Sequence, residues 1–505
     1  MTDQTMPRDE KTFLGHPRGL FLLFFVEMWE RFSYYGMRAL LIFYLTKHWL
    51  FAKDDASVIY GTYTALVYIT PVIGGYIADK YLGQRKAVQF GAILLTIGHA
   101  LMAFEGVGGQ NDPTINVFWL ALAFIIAGVG FLKANISTIV GQLYTRTDIR
   151  RDPAYTIFYM GINLGGALGP IIAGYLGETY GWSYGFGAAG IGMFFGWLFF
   201  TLGQPLLMGK GESPDPVKLA SRVSGVKLEW WLYSVGIVLI GLCWWLVQKP
   251  AVVGGVLGIA GGMLVLYILF TAVTKMGAED RNRIIAALFL IFVSILFWAL
   301  FEQAGSSLSL FTDEHVDRHI LGGEVKASIF QSLNSIYIVL LAPVVAFIWT
   351  WLGKRNLEPS APAKFGIALI QLGVGFLILV AGTLAAGPGQ LTPVIFIFLI
   401  YLLHTTGELC LSPVGLSAMN RLSPLNMASL MMGTWFFASA TGDFAAGLIA
   451  AAIGAKGAGP EHVMDVYSTA GWVAVGVGVL VILISPLIKR LMHLDTLSDN
   501  DAGAK

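Results

Sequence analysis

Ionisable side chains interrupt an otherwise apolar stretch near the start of the chain. In FFVEMWERFSYYGMRALLIFYL (24–45), a helical period places Glu27, Glu30, Arg31 and Arg38 within an arc of about 100°. Glu27 and Arg31 are four residues apart, the spacing at which opposite charges meet on a helix. Charges inside a membrane helix cost about 2.5–3.5 kcal/mol or more and mark ion or substrate pathways. The stripe therefore predicts proton or substrate handling, and a static ion pair is the alternative.

Single charges also stand in three later apolar stretches: Lys133 in GFLKANIS, Glu302 in FWALFEQ and Glu408 in GELCLSPVGLS. Together with Arg38, they offer two cations and two anions on four different helices. An interhelical ion pair opens when the acid is protonated or when the base binds another carboxylate. Because a stranded buried charge costs about 3–5 kcal/mol, protonation and ligand binding would be coupled. This pattern predicts a proton-coupled gate.

Aromatic and amide side chains accompany these charges. Trp298 and Phe301 stand four residues and one residue before Glu302, which favours a binding role over simple packing. For the other aromatic residues packing is the usual alternative, and for the amides ordinary interhelical hydrogen bonding is. The remaining members of this set are Tyr35, Tyr68, Tyr159 and Trp435, with Asn163 and Asn334.

Several kinds of chemistry have no matching pattern in the sequence. The phosphate-binding motif G-x-x-x-x-G-K-[ST] does not occur, so nucleotide-driven pumping is not expected. His99 and His404 lack neighbours at metal-ligand spacing, and we expect no metal site. A net charge of +1 offers no basic surface for nucleic acid.

The elements that must position these residues follow from composition. The chain has 505 residues, of which 56% are hydrophobic and 12% charged, whereas globular domains average about 25% charged. This composition predicts an all-α polytopic membrane protein. A membrane helix needs about 20 apolar residues, and the chain supplies runs of that length repeatedly. Fourteen segments qualify: 20–46, 58–79, 87–107, 115–143, 154–178, 183–207, 228–248, 251–274, 284–311, 327–353, 365–387, 391–419, 427–453 and 467–488.

The basic residues orient these segments in the membrane. With the N-terminus inside, 23 of the 32 Lys and Arg fall on the cytoplasmic side and six fall in outer loops. Cytoplasmic loops carry such an excess, so we expect both termini to be cytoplasmic. The exceptions, Arg31, Arg38 and Lys133, are the intramembrane cations described above.

A weak internal repeat divides the chain. YITPVIGGYIADKYLGQRK (68–86) and VLLAPVVAFIWTWLGKRN (339–356) share an early Pro and a Gly followed by basic residues. Internal repeats are typical of transporters. We predict a cytoplasmic N-terminus (1–19), six-helix bundles at 20–207 and 284–490, a linker at 208–283 with two extra helices (228–248 and 251–274), and a cytoplasmic tail (491–505).

These motifs resemble a known family. EMWERFSYYGMRALL (27–41) is similar to the E-x-x-E-R signature of the proton-dependent oligopeptide transporters (POT, or PTR), a branch of the major facilitator superfamily. FYMGINLGGALG (158–169), GFLKANIS, FWALFEQ, QSLN and GELCLSPVGLS resemble further family segments in the expected order. The resemblance covers nearly the whole chain and implies the major facilitator fold: two six-helix bundles plus two extra helices, as in prokaryotic members.

The resemblance also implies roles. Glu27, Glu30 and Arg31 would couple proton movement to transport, Arg38 would pair with Glu302 at an outer gate, and Lys133 with Glu408 at an inner gate. A histidine that handles protons in animal members corresponds to Gly61 here, so carboxylates would carry the proton. The residues expected to contact peptide are Tyr35, Arg38, Tyr68, Lys133, Tyr159, Asn163, Trp298, Phe301, Asn334, Glu408, Ser412 and Trp435.

The expected activity is proton-coupled import of di- and tripeptides across the plasma (inner) membrane by alternating access. The proton would be the coupling ion, and no cofactor, metal or nucleotide is expected. We expect a monomer in the lipid bilayer. The alternatives are a related carrier of nitrate or peptide-like drugs and, more remotely, a membrane enzyme or receptor.

Overall fold

The described chain consists almost entirely of helices. The computed structural model describes residues 12–145, 148–424, 427–455 and 459–494, so the predicted terminal stretches 1–11 and 495–505 lie outside the described residues. Each of the fourteen predicted apolar segments is occupied by a helix. In the described ranges, twelve helical stretches are long and apolar enough to cross a membrane. The other two predicted segments form the helices Arg18–Phe43, with five charged residues, and Gln84–Met102, with two.

The chain forms two compact units. Unit 1 holds the residues up to Leu40 together with Thr70–Trp245, and unit 2 holds Leu41–Ile69 together with the residues from Leu246 onward. The predicted domain boundaries at 20–207, 208–283 and 284–490 remain predictions. The elements up to the linker are β1 (Thr12–Phe13), β2 (His16–Pro17), α1 (Arg18–Phe43), α2 (Lys53–Ile77), α3 (Gln84–Met102), α4 (Ile115–Gln142), α5 (Arg151–Gly169), α6 (Tyr175–Tyr180), α7 (Trp182–Gly203), α8 (Pro216–Ala220), β3 (Arg222–Val223) and β4 (Val226–Lys227).

The second part of the chain continues this helical pattern. Its elements are α9 (Leu228–Val247), α10 (Pro250–Lys275), α11 (Ala278–Phe301), α12 (Ser307–His315), β5 (Val316–Asp317), β6 (His319–Ile320), β7 (Gly323–Glu324), α13 (Ser332–Gly353), α14 (Ala361–Ala386), β8 (Thr392–Pro393), α15 (Ile395–Leu422), α16 (Ala428–Ile453) and α17 (Pro460–Leu491). The strands are two-residue pairs: β1–β2, β3–β4 and β6–β7 are antiparallel, and β5–β8 is parallel.

In unit 1, α5 packs closely against α1. The glycines at 161, 165 and 169 recur every four residues and therefore lie on one face of α5. A Cβ at Gly165 would clash with the carbonyl oxygen of Met28. Small residues at such contacts let membrane helices approach closely, and here they bring α5 against the α1 turn that carries Arg31.

In unit 2, the N-terminal part of α2, up to Ile69, packs against α16. A Cβ at Gly61 would lie 2.7 Å from the Cα of Gly447. Two lysines that precede Gly61 in the sequence form ion pairs with α12. Lys47 Nζ lies 2.5 Å from an Asp313 oxygen, and Lys53 Nζ lies 2.6 Å from an oxygen of Glu314. The core of this unit includes the fully buried rings of Phe297, Phe365 and Tyr467.

The extra helices α9 and α10 contribute little buried surface. Only 28% of the apolar window of α9 and 22% of that of α10 are buried. Within unit 2, α10 contacts α16 where Gly254 accommodates the ring of Phe444. Most of the side chains in both apolar windows are therefore at least partly exposed.

Candidate functional site

A buried charged triad lies on α1 in unit 1. Arg31 Nε is 3.0 Å from Glu27 Oε1 and 2.5 Å from Glu30 Oε2, and each of the three side chains is at most 4% exposed. The contact between Glu27 and Arg31 predicted from their spacing is present. Lys133 on α4 interacts electrostatically with both carboxylates. Two acids thus share two cations, and a proton added to either acid changes the charge balance of the group.

The packing of α1 against α5 holds this triad in place. A Cβ at Gly165 would lie 2.9 Å from Arg31 Cβ, so the helices touch at the arginine itself. Arg31 also lies over the ring of Tyr34, with its Cζ 5.4 Å from the ring centroid. Ion pairs, close packing and a cation–π contact together orient the guanidinium.

Two of the predicted peptide contacts lie further along α1. Arg38 is 8% exposed, and its Cζ lies 5.8 Å from the ring centroid of Tyr35. On α5, Asn163 donates a hydrogen bond of 3.0 Å to the carbonyl oxygen of Tyr159, one turn earlier. Tyr159 is 44% exposed. Unit 1 thus carries a cation beside an aromatic ring and an exposed tyrosine.

A polar cluster with a single carboxylate lies between α13 and α15 in unit 2. Asn334 Nδ2 donates to Glu408 Oε2 at 2.8 Å and to Thr405 Oγ1 at 3.2 Å. Thr405 is missing from the predicted set, although its position three residues before Glu408 places it on the same helix face. The cluster presents a carboxylate whose orientation is held by an amide, an arrangement that suits an ammonium group.

Aromatic rings precede Glu302 at the end of α11. Phe301 stacks on Phe297 with centroids 5.5 Å apart, and Trp298 packs edge-on against Phe301 at 5.5 Å. Glu302 then begins a 3-10 turn, Glu302–Gly305, and is 6% exposed. Glu302 and Glu408 interact electrostatically.

The rest of the predicted set in unit 2 is largely enclosed. Trp435 is 4% exposed and packs against Phe365, whereas Tyr68 on the N-terminal part of α2 is half-buried. Among the described residues, the buried atoms Trp298 Nε1 and Ser412 Oγ have no hydrogen-bond partner. Because buried polar atoms are normally bonded, these two atoms are available to a ligand or water.

The two predicted gate pairs, Arg38 with Glu302 and Lys133 with Glu408, each join residues of different units and stay predictions. Within the ranges that the structure describes, no group of three His, Cys, Asp or Glu side chains could hold a metal ion.

Comparison with known proteins decides the family. The family model described as "PTR2: POT family" matches residues 85–460. This chain belongs to the POT family. The POT sequence is similar to "Peptide transporter YePEPT" of Yersinia enterocolitica subsp. palearctica (35% identical, covering 96% of each chain) and to "Di-/tripeptide transporter" of Lactococcus lactis subsp. lactis (32%, covering 97% of this chain and 99% of the relative).

The POT fold is also found in solved structures. A mutant of "peptide transporter POT" in complex with alafosfalin aligns with a TM-score of 0.84 at 34% identity, over 96% of this chain and 97% of the other. The predicted major facilitator fold is therefore confirmed. This POT protein is an integral membrane transporter rather than an enzyme.

Proposed function

We propose that the protein imports di- and tripeptides together with protons across the plasma (inner) membrane by alternating access. Two relatives are named a peptide transporter and a di-/tripeptide transporter, and a related structure binds alafosfalin. Both termini would be cytoplasmic, and the functional unit would be a monomer in the bilayer.

The cluster of Asn334 and Glu408 carries this proposal. A short peptide is a zwitterion, and the Glu408 carboxylate held at 2.8 Å by Asn334 suits its amino group. Trp298 Nε1 and Ser412 Oγ, which lack hydrogen-bond partners, could form hydrogen bonds with its amide groups or polar side chains. The peptide carboxylate requires a cation, for which Arg38 and Lys133 are the candidates. The aromatic rings would accept varied side chains.

Proton coupling is assigned to the carboxylates. A proton from outside would neutralise Glu302 and free Arg38 for the peptide, with Glu27 and Glu30 as the next candidates for proton binding. Opening of the Lys133–Glu408 pair would then release both to the cytoplasm. The proton is the coupling ion, and neither a cofactor nor a nucleotide takes part.

Uptake by reconstituted protein tests the proposal. Vesicles with an acidic exterior should accumulate labelled di-alanine, and a protonophore should abolish the accumulation. Unlabelled tripeptide should compete, whereas nitrate should not. Competition by nitrate without competition by peptides would favour the anion carrier and overturn the proposal.

A further inference from the structure

Asp443 is a buried carboxylate that the proposed site does not include. It lies on α16 near the middle of the membrane span Leu430–Ile453 and is 2% exposed. Ionisable groups at this depth are costly and mark proton or substrate pathways. The position of Asp443 in the fold therefore requires an explanation.

The segment of α16 around Asp443 packs on the end of α11. A Cβ at Gly442 would lie 2.7 Å from Trp298 Cβ, and Gln303 Nε2 donates to the carbonyl oxygen of Ala446 at 3.0 Å. Glu302 directly precedes Gln303 in the sequence. Asp443 thus belongs to the stretch of helix that covers the turn carrying Glu302.

The N-terminal part of α2, up to Ile69, covers the same stretch. A Cβ at Gly61 would lie 3.0 Å from the carbonyl oxygen of Asp443 and 2.7 Å from the Cα of Gly447, one helical turn further on. After Ile69, α2 continues into unit 1. A movement of α2 during transport would change what covers this part of α16.

Neighbouring elements supply mainly acidic and neutral groups inside the membrane. The cations Lys47 and Lys53, at the outer ends, lie 2.5 and 2.6 Å from oxygens of Asp313 and Glu314. In α10, the residue facing α16 at this level is Gly254. The packed elements also carry buried or half-buried ionisable groups. These include Glu302 after α11, Tyr60, Tyr63 and Tyr68 on α2, His404 and Glu408 on α15, and Tyr467 on α17.

We propose that Asp443 binds a transported proton and is a second coupling carboxylate in addition to Glu302. The inference rests on the proposed function above. A proton from the outer side binds the carboxylate, which is 2% exposed, and the acid stays neutral there because burial disfavours a charged carboxylate. When the covering helices rearrange, the acid ionises again and the proton leaves to the cytoplasm.

Asp443→Asn separates coupling from transport. Reconstituted protein would be assayed for accumulation under an imposed pH gradient and for counterflow at equal pH on both sides. A gradient of about two pH units supports about 100-fold accumulation for each coupled proton. We expect Asp443→Asn to lose about tenfold or more of this accumulation and to keep counterflow within about twofold, because only the first needs net proton release. Asp465→Asn, the same change at an exposed position of α17, should alter neither activity.

Other outcomes overturn the inference. Unchanged accumulation by Asp443→Asn, or an equal loss of both activities, leaves Asp443 without a coupling role. If the variant does not fold, Asp443→Glu replaces it: accumulation should persist with a shifted pH profile, and an unshifted profile contradicts the inference. Failure of the wild-type protein to accumulate peptide would instead overturn the proposed function, and the inference with it.

Discussion

Glu302 stands where helix α11 changes into a 3-10 turn. It is 6% exposed and interacts electrostatically with Glu408. Two carboxylates that interact electrostatically in a buried site repel each other when both are ionised. A proton on one and an ammonium group near the other would relieve this repulsion, which links the two proposed cargoes at the level of single residues.

Replacing Glu302 tests this link. Glu302→Gln is permanently neutral, so we expect gradient-driven accumulation to fall by about tenfold or more while counterflow persists, since net transport requires the proton to leave. Proteoliposome uptake measures both activities. Glu461→Gln, the same change at the exposed start of α17, is the matched control and should behave like wild type. Undiminished accumulation by Glu302→Gln would exclude Glu302 as the coupling site.

Arg31 is the centre of the buried triad. Arg31→Met leaves Glu27 and Glu30 without their shared partner, and stranding a buried charge costs about 3–5 kcal/mol. We expect a clear fall in the thermal unfolding temperature of the detergent-purified protein. A double variant that also carries Glu30→Gln should recover much of the stability, because the remaining Glu27 carboxylate and the Lys133 cation balance each other's charge. Equal melting of Arg31→Met and wild type would contradict the role of the triad in stability.

At the scale of elements, the glycines of α5 determine where the triad lies. A Cβ at Gly165 would meet the Met28 carbonyl and Arg31 Cβ, so even alanine must push α5 away from α1. Overpacking a close contact costs about 1–3 kcal/mol. The position of the charges therefore depends on a residue without a side chain.

Gly165→Ala tests this dependence. We expect a lower unfolding temperature and weaker peptide uptake, because the shift of α1 displaces Arg31. Gly476→Ala, on α17, is the matched control, since a Cβ there meets nothing within 4 Å, and it should leave both measurements unchanged. Wild-type stability and uptake in Gly165→Ala would show that the contact relaxes without moving the triad.

Across the whole molecule, hydropathy and charge spacing predict most of the helices, because membrane helices need long apolar runs. The 3-10 turn after Phe301 and the contact of Thr405 with Asn334 depend on tertiary packing, which no local pattern encodes. Asp443 has a sequence signal, a single ionisable residue in segment 427–453, but it is absent from the predicted set. The relation between the two units, and hence both gate pairs, requires information beyond periodicity.

The charge carried in one transport cycle is a property of the whole molecule. A zwitterionic dipeptide has no net charge, so each proton imported with it moves one positive charge inward. A membrane potential of about 100 mV, negative inside, supplies about 2.3 kcal/mol per charge and can sustain about fiftyfold accumulation without a pH gradient. Vesicles with a valinomycin-imposed potassium potential should therefore accumulate di-alanine at equal pH, and accumulation should rise with the potential.

Because a dipeptide with one net negative charge would cancel the proton's charge, its accumulation should not respond to the potential if it moves with one proton. A di-alanine response that is absent at every potential would show that transport is electroneutral and would contradict proton symport of the zwitterion.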